Sequence, residues 1–275
     1  PVIFFPETAT RSFDRQMKHL SENYKVIPLS ELVDRIIHKK DIANYVSITL
    51  DDGFRDNYTN AFPILKKYNL PATIFLISNC IETGQPPWFM TFREAFYKAP
   101  QKRATISVNQ EKMDLDLSTL ENKFAASNQV MASLRNCPDE TMRKNLPGIY
   151  ESLGYTPPGS LNNIMLTWEQ IKEMNNNGIS FGAHTHTHPI LSRMSVNDAE
   201  QEIQISKEII QNRLNADVTG FAYPVGAKDH ISPELQTILQ KNRFSYAVTT
   251  SPEKITYQSN PFQLSRPFPW ELNLI

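Results

Sequence analysis

The chain has 275 residues, 28 Lys plus Arg against 29 Asp plus Glu, a formal net charge of −1, and 40% hydrophobic residues. That composition excludes wholesale disorder, and the balanced charge argues against a nucleic-acid partner held by electrostatics. No apolar run exceeds four residues (Val2–Phe5, Ile74–Ile77), where a membrane span needs about 20; the two cysteines, Cys80 and Cys137, exclude a disulfide framework and a Cys-based zinc site. Lys25–Leu29 reads as a short strand, followed by a helix capped by Ser30 and running to Lys39, with Leu32, Val33, Ile36 and Ile37 at helical spacing. A strand over Tyr45–Leu50 ends in Asp51-Asp52-Gly53, a helix follows over about Tyr58–Tyr68, and Ala72–Ser78 is an apolar strand of the kind buried on both faces. Later come a helix over Trp168–Asn176, a strand over Gly178–Ala183, a helix over Val196–Leu214, a strand over Thr219–Tyr223, a helix over Pro233–Asn242 and a strand over Ser245–Thr249. Strands alternating with helices predict parallel βα units, in a barrel or an open doubly wound sheet.

Residues 81–166 break this rhythm. They contain a predicted hairpin (Ala104–Val108 and Lys112–Leu117) and two helical stretches (Ser118–Leu134 and Pro138–Leu153), and read as an insertion into a single catalytic domain spanning 1–275. The chain begins at Pro1 without Met. A removed signal would place it in the cell envelope or outside the cell, and otherwise it is cytoplasmic. Its oligomeric state is not legible.

Histidine is the most informative residue type. His184, His186 and His188 fall together where the strand Gly178–Ala183 ends, the functional face of parallel α/β folds. Neutral imidazole is the commonest metal ligand. An extended segment would put all three rings on one face; a helical turn would pair His184 with His188 and turn His186 elsewhere. The alternative is a polar loop bonded to backbone and water. Asp51 and Asp52 follow a second strand on the same face, where one carboxylate can ligate a metal while its neighbour serves as base; Gly53 permits the sharp turn, and the alternative is that Asp-Asp-Gly is turn chemistry alone. Two His and one carboxylate make the three-ligand set of a catalytic zinc or iron site with an open position, and hydrolysis is its default chemistry. At a third strand end, in Phe221-Ala-Tyr-Pro224-Val225-Gly226, Pro224 has no N–H, so the first backbone donor after it is on Val225, and a rigid turn could aim it at a developing oxyanion; the alternative is a plain turn.

With these pieces in order, the sequence resembles the NodB-homology polysaccharide deacetylases, carbohydrate esterase family four. Thr49-Leu50-Asp51-Asp52-Gly53 stands for the family's Thr-Phe-Asp-Asp-Gly, and His184 to His188 matches its His-Ser/Thr-x-x-His motif through the outer pair. Asp56-Asn57-Tyr58 and Pro63–Phe75 also look alike. The resemblance implies an irregular (β/α)7 barrel and one divalent metal ion, usually Zn2+, held by Asp52, His184 and His188. It makes Asp51 the general base toward metal-bound water and the Val225 N–H part of the oxyanion site, and it puts Tyr223 and Pro224 on the substrate side. The Phe-Ala-Tyr-Pro form is similar to the subgroup that includes poly-N-acetylglucosamine deacetylases. Arg266 resembles that subgroup's late arginine, which would orient Asp51; the alternative is a surface salt bridge.

Three departures stand out. Ala222 replaces the arginine common two residues before the proline, Val225 replaces the subgroup's tyrosine, and the Leu-x-His motif that supplies the general acid is missing, which leaves His186, His230 or water to supply the proton. The expected activity is removal of acetyl from N-acetylated sugars of a cell-surface or extracellular polysaccharide. The alternatives are an O-acetyl esterase, whose better leaving group tolerates a weak acid, and a non-catalytic glycan-binding domain. Trp88, Phe89, Phe92 and Trp270 are candidates for stacking on sugar rings, with core or insertion packing as the alternative, preferred for Phe92.

Overall fold

The computed structural model describes residues 2–4, 10–157 and 164–267. Trp270 lies outside them. The chain forms two compact units, one of Pro1–Gln85, Asn162–Ser192 and Val196–Ile275, the other of Pro86–Leu161 with Arg193–Ser195.

In the first unit the strands are β1 (Val2–Phe4), β2 (Lys25–Val26), β3 (Tyr45–Leu50) and β4 (Ala72–Leu76). The second unit holds β5 (Arg103–Val108) and β6 (Glu111–Asp116), and the first resumes with β7 (Ile179–Ala183), β8 (Gly220–Ala222) and β9 (Tyr246–Val248). The seven strands of the first unit make one sheet of order β1-β3-β4-β7-β8-β9, with β2 also on β3, and every pairing in it is parallel. The sheet curls into a half-barrel, the architecture expected of an irregular (β/α)7 fold. All five residues of β4 are buried, as a strand covered on both faces requires. The close approach of β4, β7 and β8 depends on Gly182, where a Cβ would lie 2.5 Å from the Phe75 ring and 2.9 Å from the Gly220 carbonyl.

The helices of this unit are α1 (Thr10–Asn23), α2 (Leu29–Ile37), α3 (Phe62–Lys67) and α4 (Ser78–Thr83), and after the second unit α8 (Trp168–Asn175), α9 (Val196–Leu214) and α10 (Pro233–Lys241). α2 buries Leu29, Leu32, Val33 and Ile36 in a cluster with Phe75, Tyr246 and Val248, whereas Ile37 is exposed. Ser30 is not its cap: Pro28 takes that position, and its φ of −53° leads the chain into the helix earlier. The helix expected from Tyr58 begins instead as a π-turn over Asn57–Ala61 and becomes α-helical only at Phe62. Pro63 has no N–H to give the fourth residue back, which favours the wider turn. The strand expected to reach Ser78 stops at Leu76, because Ser78 opens α4. α1 was not legible as a helix, although Phe13, Gln16, Met17 and Leu20 lie along one buried face.

The second unit contains α5 (Trp88–Lys98), the antiparallel hairpin β5–β6, α6 (Leu120–Arg135) and α7 (Asp139–Ser152). Phe92, Phe96, Ile106, Val130, Leu134 and Ile149 anchor a core of its own.

Candidate active site

Three loops at the ends of β3, β7 and β8 carry the residues that the sequence singles out. The backbone of each is forced into the left-handed region: φ is 70° at Asp52 and 79° at Gly53, 64° at Thr185 and 61° at His188, and 63° at Val225 and 64° at Gly226. Elsewhere among the described residues, positive φ outside glycine falls on Asn, Lys, Gln and Arg; the β-branched cases are Thr185 and Val225 alone. A β-branched residue there is strained, and such strain persists only where surrounding contacts over-determine it. At Gly53 a Cβ would also lie 2.7 Å from the Leu76 side chain.

The turn after β3 separates the two aspartates. Asp51 points to Arg266, which is fully buried and grips it with two parallel bonds of 2.7 and 2.8 Å. The guanidinium is itself held by the Thr249 carbonyl at 2.9 Å. Burial works to raise the Asp51 carboxyl, but Arg266 and His184 outweigh it and hold it below the usual carboxylate range. A buried bidentate pair fixes the orientation of both partners, so Arg266 is not a surface ion pair.

Asp52 faces the histidines. Its Oδ1 lies 3.5 Å from His184 Nε2 and 3.7 Å from His188 Nε2, and the three ligand atoms lie within 4.8 Å of one another. These separations exceed an N–H···O bond. They suit a shared cation: ligands about 2.1 Å from a tetrahedral zinc lie about 3.4 Å apart. His184 is buried, and its Nδ1 sits 2.7 Å from the Ala222 carbonyl. That contact places the proton on Nδ1 and leaves Nε2 as the donor toward a metal, the usual arrangement of a ligating imidazole. Burial pushes the His184 pKa down, which favours the neutral ring that ligation requires. The donor set therefore fits a divalent cation. At the position where the family commonly carries arginine, Ala222 supplies the carbonyl that sets the tautomer.

His186 does not join this group. Its Nδ1 meets Ser78 Oγ at 2.9 Å. No sequence motif points to the residue that secures its backbone: Glu202, on α9, accepts the N–H groups of His186 and Thr187, both at 2.8 Å, and the Thr187 hydroxyl at 2.8 Å. From sequence Glu202 reads as one more charge on an amphipathic helix. Pro224 is buried, and Thr250 holds the Val225 carbonyl at 2.8 Å. Among the described residues nothing accepts the Val225 N–H. Tyr223 is buried and donates its hydroxyl to the Phe262 carbonyl at 3.1 Å. Trp88, half-buried, packs with Phe89 and Phe92 on the core of the second unit, where Phe92 is fully buried. His230 is half-buried, with its Nε2 3.8 Å from Asp229.

A parallel half-barrel whose strand ends bring together Asp52, His184 and His188 has the architecture of a candidate metal site. Residues 38–246 match the polysaccharide deacetylase family, and the chain belongs to it. Among individual proteins it is similar to YxkH of Bacillus subtilis (strain 168), 24% identical over 258 residues, covering 93% of this chain and 63% of that protein. It is also similar to the poly-beta-1,6-N-acetyl-D-glucosamine N-deacetylase of Staphylococcus epidermidis, 32% identical over 178 residues, 62% of this chain and 59% of that protein. The chain thus spans less than two thirds of the length of either relative. Its fold is similar to that of the Streptococcus pyogenes deacetylase PplD, solved in complex with acetate (TM-score 0.65, 19% identity, 99% of this chain and 96% of that one). It is similar as well to IcaB from Ammonifex degensii (TM-score 0.63, 17% identity, 99% and 94%).

Proposed function

We propose that the protein removes acetyl groups from N-acetylated sugars of a cell-surface or extracellular polysaccharide, using one divalent metal ion, Zn2+ by its donor set, held by Asp52, His184 and His188. The observation that carries this reading is the convergence of those three donors beside the buried Asp51–Arg266 pair. The N-deacetylase named among the relatives supports the amide over the ester.

A bound divalent ion supplies Lewis acidity to the acetyl carbonyl and acidifies water. The chain supplies the rest. Asp51 Oδ takes the proton from the attacking water, Arg266 aims that carboxylate, and the C–N bond breaks as water gives the departing amine its proton. The lowered Asp51 pKa keeps it ionised and ready to accept. The Val225 N–H, presented by the Pro224 turn and the Thr250 bond to its carbonyl, donates to the developing oxyanion. His184, locked by the Ala222 carbonyl, keeps its Nε2 on the ligand side.

The test is acetate release from N-acetylglucosamine oligomers and from acetylated xylan, with and without chelator. The expected result is release from the amide substrate, lost on chelation and restored by zinc. Release from the xylan alone would replace this reading with an O-acetyl esterase. Glycan binding with no release from either substrate would make the protein a binding domain.

A further inference from the structure

We infer that Glu202 is a positioning residue that sets the metal affinity of the site by clamping the loop between the two ligand histidines. This rests on the metal-site reading above. His184 has its own supports: its N–H continues the ladder to the Leu76 carbonyl at 2.9 Å, and its ring is held by Ala222. His188 lies five residues past the end of β7. It lies in a loop that turns through positive φ at both Thr185 and His188, a conformation that relaxes unless its surroundings hold it.

Two elements hold it from different sides. The first turn of α4 donates the Ser78 N–H to the Thr185 carbonyl at 3.3 Å and the Asn79 N–H to the His186 carbonyl at 3.0 Å, while Ser78 Oγ meets the His186 ring. From α9, the Glu202 carboxylate receives both N–H groups that lie between the ligands, and the Thr187 hydroxyl as well. Within the loop, the Thr185 hydroxyl accepts the His188 N–H at 3.0 Å. Glu202 itself is fixed by its helix, whose Ala199, Ile203, Ser206 and Ile210 are buried on one face. Two adjacent N–H groups bonded to one carboxylate oxygen are charge-assisted and directional. No apolar side chain could replace them without leaving both donors unsatisfied. His186 thereby has an account that the family motif does not give: its backbone and ring are the points at which the loop is gripped.

If Glu202 is removed, the loop relaxes, and metal binding must bear the cost of ordering His188. The ligands remain present, so the loss appears in affinity. Outer partners of metal ligands are worth about 10–100-fold in affinity, and Glu202→Leu is expected to weaken zinc within that range. Glu202→Gln keeps an oxygen for the two N–H groups, and its amide nitrogen can donate to the Thr187 hydroxyl, so it is expected to stay within about threefold of wild type. Zinc affinity is measured by chelator competition well below the apo unfolding temperature of each variant, which separates positioning from general destabilisation. Thr187→Val, which loses the hydroxyl bond to Glu202 and keeps both N–H bonds, serves if Glu202→Leu does not fold, with an expected loss of about two- to fivefold. Wild-type affinity in Glu202→Leu, or in Thr187→Val if that must stand in, would overturn the clamp while leaving the metal site standing. So would a Gln variant as weak as the Leu one. A wild-type protein that takes up no zinc would overturn the metal site, and the clamp with it.

Discussion

In the second unit the buried side chains are almost all apolar: Phe92, Phe96, Ile106, Val130 and Ile149 pack together, and among the described residues only Ser127 and Asp139 are polar and buried. The half-barrel unit buries apolar residues too, but around its strand ends it also buries Thr49, Ser78, His184, Thr185, Thr249 and Arg266. Buried polar groups cost stability unless each finds a partner. Here they find one another: Arg266 takes Asp51 and the Thr249 carbonyl, His184 takes the Ala222 carbonyl, and Ser78 takes the His186 ring. One unit has the composition of a core built for packing. The other accepts buried charge and left-handed backbone where side chains must be aimed.

Substitutions in the two units should therefore fail in different ways. The largest effect on activity is expected from His184→Ala. It removes a ligand from the convergent set, so metal content should fall toward zero and acetate release by more than the about 100-fold that an outer partner costs; a fully loaded variant would break the contrast. Asp51→Asn comes next. It should lower acetate release by about 10²- to 10⁴-fold, as loss of a general base does, with metal content retained because Asp52, not Asp51, faces the histidines. Metal lost along with activity would mean that the two aspartates share the ligand role.

Arg266→Met should show up first in stability. Removing one partner of a buried ion pair costs about 3–5 kcal/mol, and both members of this pair are shielded, with side-chain exposures of 0% and 10%. Phe92→Ala should cost a similar 3–5 kcal/mol, the usual price of emptying an aromatic core site, yet leave zinc affinity at the wild-type value in protein that remains folded. Denaturant unfolding alongside chelator competition reads both quantities. A drop in zinc affinity in Phe92→Ala would show that the contrast between the units is not one of function. The smallest effect is expected from His186→Ala, which should keep its metal and lose less than the about 10²-fold at which general-acid loss begins, since it removes the ring contact with Ser78 but leaves the backbone bonds to Glu202 and Asn79 in place. A selective loss on amides but not on activated esters would instead make it the proton donor.

Much of the half-barrel was legible because its signals are local. Tyr45–Leu50 and Val196–Leu214 fall where the apolar pattern puts them, and the motif residues Asp52, His184 and His188 carry their chemistry in their side chains. The elements missed or misplaced depend on context. α1 and α5 carry their apolar faces among many polar or aromatic neighbours, and the start of the helix after β3 depends on how Pro63 meets the preceding turn. Within the site, the spacing of three histidines could not decide which rings converge, because that depends on two left-handed residues, Thr185 and His188, whose types do not announce it. Glu202 was invisible for a related reason: its partners are backbone N–H groups, which no sequence pattern displays.

The central claim is that one cation sits among Asp52, His184 and His188. Anomalous diffraction at the zinc edge from crystals grown with the metal tests it directly. A single strong peak within about 2.0–2.2 Å of the Asp52 carboxylate and both Nε2 atoms is the expected result. A peak bound to His186, or a loaded protein with no peak between these three side chains, would contradict it.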